Sequence, residues 1–213
     1  MEKFNFNYLK IILKTEIKWL LNSKKTILLI LIGFVIPLIP SLGGDPIIKI
    51  LPEKTIPLFA FILGIAASVC QYFLDSTLKD IITKVNHFYL NFQVNNSYIL
   101  IAKIITTLPL FFIFLIFNLL FYKVYMSISI FIFIIMFYIN ISIYTYLLVA
   151  YFYDSKSLLF STYIPLIFFV LLFIPLFLLN LLLNITIQAF LILLGLKLLK
   201  YLQSTKKVLI NSL

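Results

Sequence analysis

The side chains able to do chemistry are few. The 213 residues hold 17 basic residues, all of them Lys, with seven acids, one His (His87) and one Cys (Cys70). Proteolysis by a metal within a membrane needs two His and an acid on one helix face, as in H-E-x-x-H. His87 alone cannot supply that set, so no metal site and no catalytic residues are expected. Lipid phosphatases and glycosyl transferases draw on Arg, His or paired carboxylates near the interface, and the chain has no Arg. A phosphate-binding G-x-x-x-x-G-K-[ST] loop is also missing. None of Gly33, Gly43, Gly44, Gly64 and Gly195 precedes a Lys in that pattern. The expectation is a chain that is not an enzyme and binds no cofactor of its own. A single Cys forms no internal disulfide and leaves the redox compartment open.

The scaffold for so few polar groups is oil. Hydrophobic residues make up 63% of the chain and charged residues 11%, with a mean hydropathy of +1.16. Soluble domains sit near ~45–50% and ~25%, and a globule of this size must wet its surface. A cytosolic enzyme, a nucleic-acid reader and a disordered tail are thereby excluded. The formal charge of +10 is too dispersed between apolar runs to grip nucleic acid. The chain reads as an integral membrane protein of all-α class. Its apolar runs are continuous rather than alternating, and lipid forces backbone groups to pair internally, which favours helices over barrel strands.

Six transmembrane helices are read: Thr26 to Ser41, Ile56 to Leu74, Ile99 to Tyr122, Ile128 to Tyr153, Leu158 to Leu179 and Ile185 to Tyr201. The last two come from one uncharged stretch, divided near Asn180 to Asn184. With the N-terminus in the cytoplasm, Lys49, Lys54 and Lys123 are the only Lys left outside. The positive-inside rule therefore puts both termini inside a multi-pass cell-membrane protein. Residues 1–25 form a cytoplasmic amphipathic segment, 26–201 the transmembrane domain and 202–213 a cytoplasmic tail. The first 25 residues lack the pattern of a cleavable signal.

Within that first segment, Asn7 to Asn22 reads as a helix lying on the membrane surface. Lys10, Lys14 and Lys18 form one stripe, and Leu9, Ile12, Leu13, Ile17 and Leu20 the other. Trp19 sits beside the apolar stripe, where an interfacial ring belongs. It reads either as an elbow touching a cytoplasmic partner or as a plain anchor in the lipid bilayer.

The loop after the second span, residues 75–98, carries the most information. Thr77 to Asp80 has the form of a capping box. Ile81, Ile82, Val85 and Phe88 then fall on one face of a short cytoplasmic helix. An acid at Asp75, the pair Thr77-Leu78 and Lys103 opening the third span complete the pattern. In these residues and in its layout the chain resembles the membrane subunits of type-2 ABC transporters, the permeases of export type. The resemblance implies six spans, an interfacial N-terminal helix and a coupling helix from Thr77 to about Phe88. Asp75, Thr77, Leu78, Ile81, Ile82, Val85 and Phe88 would be its docking residues. It further implies partners: separate ABC ATPase subunits that bind ATP and Mg, and a second permease subunit, identical or related.

Ala60, Gly64 and Ser68 make a small-residue stripe on the second span, suited to close helix contact. Polar positions that could line a path are Ser68, Gln71, Asn140, Thr145, Ser161, Thr162 and Asn180. The functional expectation is the permease half of an ATP-driven exporter of an amphipathic peptide, hydrophobic drug or lipid-like molecule. Alternatives are the binding subunit of a vitamin importer and a passive immunity or assembly protein.

Overall fold

The computed structural model describes residues 6–24, 27–28, 56–83, 96–122, 127–152 and 180–211. Among these residues there are five long helices and no strands: α1 (Phe6–Asn22), α2 (Ile56–Ile82), α3 (Asn96–Tyr122), α4 (Ile128–Phe152) and α5 (Leu181–Asn211). Two of them contain stretches long and apolar enough to cross a bilayer, Ile128–Ala150 and Leu181–Leu202; the apolar helical stretch Ser97–Ile113 is shorter. Helices α2 to α5 cover the residues read as the second, third, fourth and sixth spans, and the two stretches that qualify as spans fall on the fourth and sixth. The first span, but for residues 27–28, and the fifth span lie outside the described residues.

The core gathers where apolar stripes converge. Tyr72 and Phe73 of α2, Ile99 and Leu100 of α3, and Phe133, Phe137 and Tyr138 of α4 are all buried. Polar contacts fix the directions of the helices. Tyr72 meets the Thr106 hydroxyl while Ser76 meets Lys103, so α2 and α3 run antiparallel. Asn140 pairs with Gln188, and Tyr144 donates to the Leu191 carbonyl at 3.0 Å. Position numbers rise together along both helices, so α4 and α5 run parallel.

That pair is held close by Gly195. A Cβ built there would lie 2.7 Å from Ile143 Cγ2, so glycine is what lets the two backbones approach. The rest of α5 looks outward: 17% of its apolar stretch is buried, against 50% for α4. In α2, the buried Gly64, Ser68 and Cys70 bring small side chains to the core side, and Cys70 Sγ lies 3.3 Å from Thr145 Oγ1 on α4.

One boundary differs from the sequence reading. No helix begins at Thr77; α2 runs unbroken from the apolar span through Thr77 and Asp80 to Ile82. Nothing between Leu74 and Ile82 interrupts the helix, and Thr77 and Asp80 are buried rather than poised as a cap. The residues read as the tail are helical as far as Asn211, in continuity with α5. The division near Asn180 does match. Asn180 Oδ1 accepts the Leu183 amide at 3.1 Å and caps the start of α5.

Candidate functional site

The site is built on residues that an apolar helix should not carry. On α1 the positions four apart, Ile12, Glu16 and Leu20, form one buried row. An acid in the middle of that row cannot be left alone out of water, because an unpaired buried charge is too costly. Its partners come from two other helices. Lys103, in the second turn of α3, is wholly buried. Ser76, Lys79 and Asp80 lie at the last turns of α2, spaced to share one face.

Together they close a ring of four charges. Lys103 Nζ stands 3.2 Å from Glu16 Oε1 and 2.8 Å from Asp80 Oδ2. Lys79 Nζ stands 3.4 Å from the same Glu16 oxygen and 3.2 Å from Asp80 Oδ1. Each charge touches two of opposite sign, and the ring is neutral. Glu16 and Asp80 are 2% exposed and Lys103 0%, while Lys79, at 23%, forms the edge that reaches solvent. Asp80 Oδ2 has no aligned hydrogen-bond donor among the described residues, so its tie to Lys103 is ionic.

Neutral groups complete the arrangement. Tyr72 donates its hydroxyl to Glu16 Oε2 at 3.0 Å, and Lys103 donates to Ser76 Oγ at 3.0 Å. Trp19, one turn beyond Glu16, packs against Tyr72 with ring centroids 6.0 Å apart. Lys79 Nζ lies 5.0 Å above the Trp19 ring, within cation–π range. The ring therefore ties α1, the end of α2 and the start of α3 into one joint. Among the described residues no group of three or more His, Cys, Asp or Glu could hold a metal. The contacts of the joint are ion pairs, hydrogen bonds and one cation–π contact.

The sequence-read residues divide around this joint. Lys10, Lys14 and Lys18 are exposed on α1, as the stripe predicts. The apolar stripe, however, does not face lipid. Ile12 and Leu20 are buried in the protein core, with Leu9, Leu13 and Trp19 packed against it, and only Ile17 is exposed. Glu16 lies on that same face and meets α2 and α3 there. Of the coupling residues, Asp75 and Leu78 are half-buried and Thr77 is buried. Ile81 and Ile82 lie in the last turn of α2, and Val85 and Phe88 lie outside the described residues.

The proposed path residues are not one lining. Ser68, Asn140 and Thr145 are buried and Gln71 half-buried, while Asn180 is an exposed cap. Ser161 and Thr162 lie outside the described residues. Asn140 donates to the Gln188 carbonyl at 3.1 Å, and Gln188 donates to Asn184 Oδ1 at 3.1 Å. Asn140 thus stitches α4 to α5. Sequence reasoning missed Glu16, Lys79 and Tyr72, and it used Asp80 only as a cap. The signal was present: a lone acid within the apolar row of a basic helix, and a lone Lys in the second turn of an apolar one.

No family model, curated protein or solved structure matches the chain.

Proposed function

We propose that the chain is a multi-pass cell-membrane subunit, the permease half of an ATP-driven exporter. The observation that carries this reading is the position of the charged joint. It gathers the amphipathic α1 and both flanks of the 84–95 connection, the segment that charge bias assigns to the cytoplasm. A partner pushing on that connection would move α1, α2 and α3 together, because the ring resists their separation. This is a two-state element biased by a partner's ligand.

The helix directions support six spans. At 27 residues each, α2 and α3 are about 40 Å long, enough for a bilayer. Their antiparallel course brings the end of α2 and the start of α3 together beside α1. Two parallel helices such as α4 and α5 require the chain to recross between them, the role given to Leu158 to Leu179. Two such subunits would enclose the path, with both termini cytoplasmic. Separate ATPase subunits would bind ATP and Mg. The cargo would be an amphipathic peptide, hydrophobic drug or lipid-like molecule, in keeping with a chain that is 63% hydrophobic.

The test is co-purification with an ATPase encoded beside this chain, recognised by its phosphate-binding loop. The expected result is a stoichiometric complex whose ATP turnover falls in Ile82→Glu, at the end of α2. An unchanged complex with unchanged turnover would refute docking there. Transport by the purified chain alone against a gradient would refute the borrowed energy source. Full biological activity without any ATPase would favour the passive immunity or assembly reading.

A further inference from the structure

The donors and acceptors of the joint are divided unequally between its parts. Among the described residues, every group that contacts the Glu16 carboxylate belongs to α2 or α3. Lys103 and Lys79 both face Oε1, at 3.2 and 3.4 Å, and the Tyr72 hydroxyl faces Oε2 at 3.0 Å. The three donors come from residues 72, 79 and 103, all on two antiparallel helices, with Trp19 of α1 packed beside Tyr72 and Lys79. Asp80, on α2, offsets one of the two lysines. Without Glu16, the ring retains Lys79 and Lys103 against Asp80, a net charge of +1. A hydroxyl donor is aimed at the same point. A cationic recess with two ammonium groups on one oxygen and a phenol on the other is a carboxylate receptor.

We infer that α2 and α3 form a carboxylate-binding site which α1 fills with its own Glu16, as a tethered ligand. Glu16 is 2% exposed, and Trp19 covers the Lys79 side of the recess. A carboxylate from another molecule therefore reaches the site only when α1 is displaced. The natural competitor is an acidic side chain or a terminal carboxylate of a peptide. Access would be through the edge at Lys79, the one charge of the ring that meets solvent. This inference does not rest on an ATP-driven partner and stands even if the chain is passive.

Glu16→Ala removes the tethered carboxylate and leaves its receptor in place. Sodium formate is the probe, compared with sodium chloride at equal ionic strength. The readout is the unfolding temperature of the full chain in detergent. Formate at about ten times its dissociation constant is expected to raise that temperature by about 3–6 °C in Glu16→Ala. The wild type, whose site is filled, should show no such rise. The double variant Glu16→Ala/Lys103→Met, with the wholly buried one of the two ammonium groups removed, should also show none. An equal response of all three proteins, or none in Glu16→Ala up to molar formate, would overturn the assignment. Glu16→Ser opens nearly the same volume and serves if the alanine variant does not accumulate. If either accumulates only when formate is present throughout extraction, that is a positive result. If neither accumulates even then, the site is refuted.

Discussion

Lys103→Met is the sharpest perturbation of the charged joint. The side chain it removes is wholly buried and lies within 3.2 Å of Glu16, 2.8 Å of Asp80 and 3.0 Å of Ser76. Methionine fills a similar volume, so the packing loss is small. What remains is two buried carboxylates sharing Lys79, a net charge of −1 in a site almost closed to water. Removing one partner of a buried ion pair costs about 3–5 kcal/mol. For a chain of this length that is a fall of about 6–20 °C in unfolding temperature. Glu16→Gln leaves the opposite imbalance, +1, but Lys79 reaches solvent and bears it at lower cost, about 1.5–3 kcal/mol. The double variant Glu16→Gln/Lys103→Met is neutral again, with Asp80 and Lys79 still paired. Its loss should fall short of the sum of the single losses by roughly 1–3 kcal/mol, the coupling expected within one network. Equilibrium unfolding in mixed micelles, followed by circular dichroism, measures all three. A loss below about 1 kcal/mol for Lys103→Met, or additive single losses, would refute the ring as a coupled unit.

Trp19 is the only Trp in the chain, so its fluorescence reports on α1 alone. Glu16→Gln should shift its emission to the red as the ring loses its contacts with Tyr72 and Lys79, and an unshifted spectrum would mean that α1 docks without the charge. Gly195→Ala places a methyl 2.7 Å from Ile143 Cγ2 and should cost about 1–3 kcal/mol in the same micelle titration. Adding Ile143→Ala should recover part of that loss. Asn140→Leu should cost about 1 kcal/mol or less, since Asn140 Oδ1 has no partner among the described residues and interhelical bonds in membranes are weak. Asn180→Ala removes the α5 cap and should lower amide-exchange protection at Leu183 by about fivefold, as a ~1 kcal/mol local loss implies.

The helical elements were legible because lipid and water impose different rules. Uninterrupted apolar runs fixed α2 to α5 to within a few residues at most ends. Asn180 marked the start of α5 because a short amide side chain caps better than it continues a helix. The end of α2 was misread for a physical reason. Thr, Ser and Asp read as surface or capping residues when their neighbours are unknown. Here Ser76, Thr77 and Asp80 turn inward, and Ser76 and Asp80 meet Lys103, 23 or more residues away in the chain. The joint was half legible. Glu16 and Lys103 each sit where an isolated charge is untenable, which demands a partner without saying which one. Pairing Glu16 with Lys79 and Lys103 spans sequence separations of 63 and 87 residues, which local pattern cannot connect. Function was less legible still, because what helices do together is a property of their assembly rather than of residue types.

Spin labels at Lys14→Cys on the exposed face of α1 and Thr83→Cys beyond α2 give the most direct test of whether the joint fixes α1. Cys70, buried against Thr145, is shielded from labelling. The distance distribution between the labels should be single and narrow when the ring is intact, and should broaden or split when Lys103→Met is added. A distribution unchanged by that substitution would contradict the account.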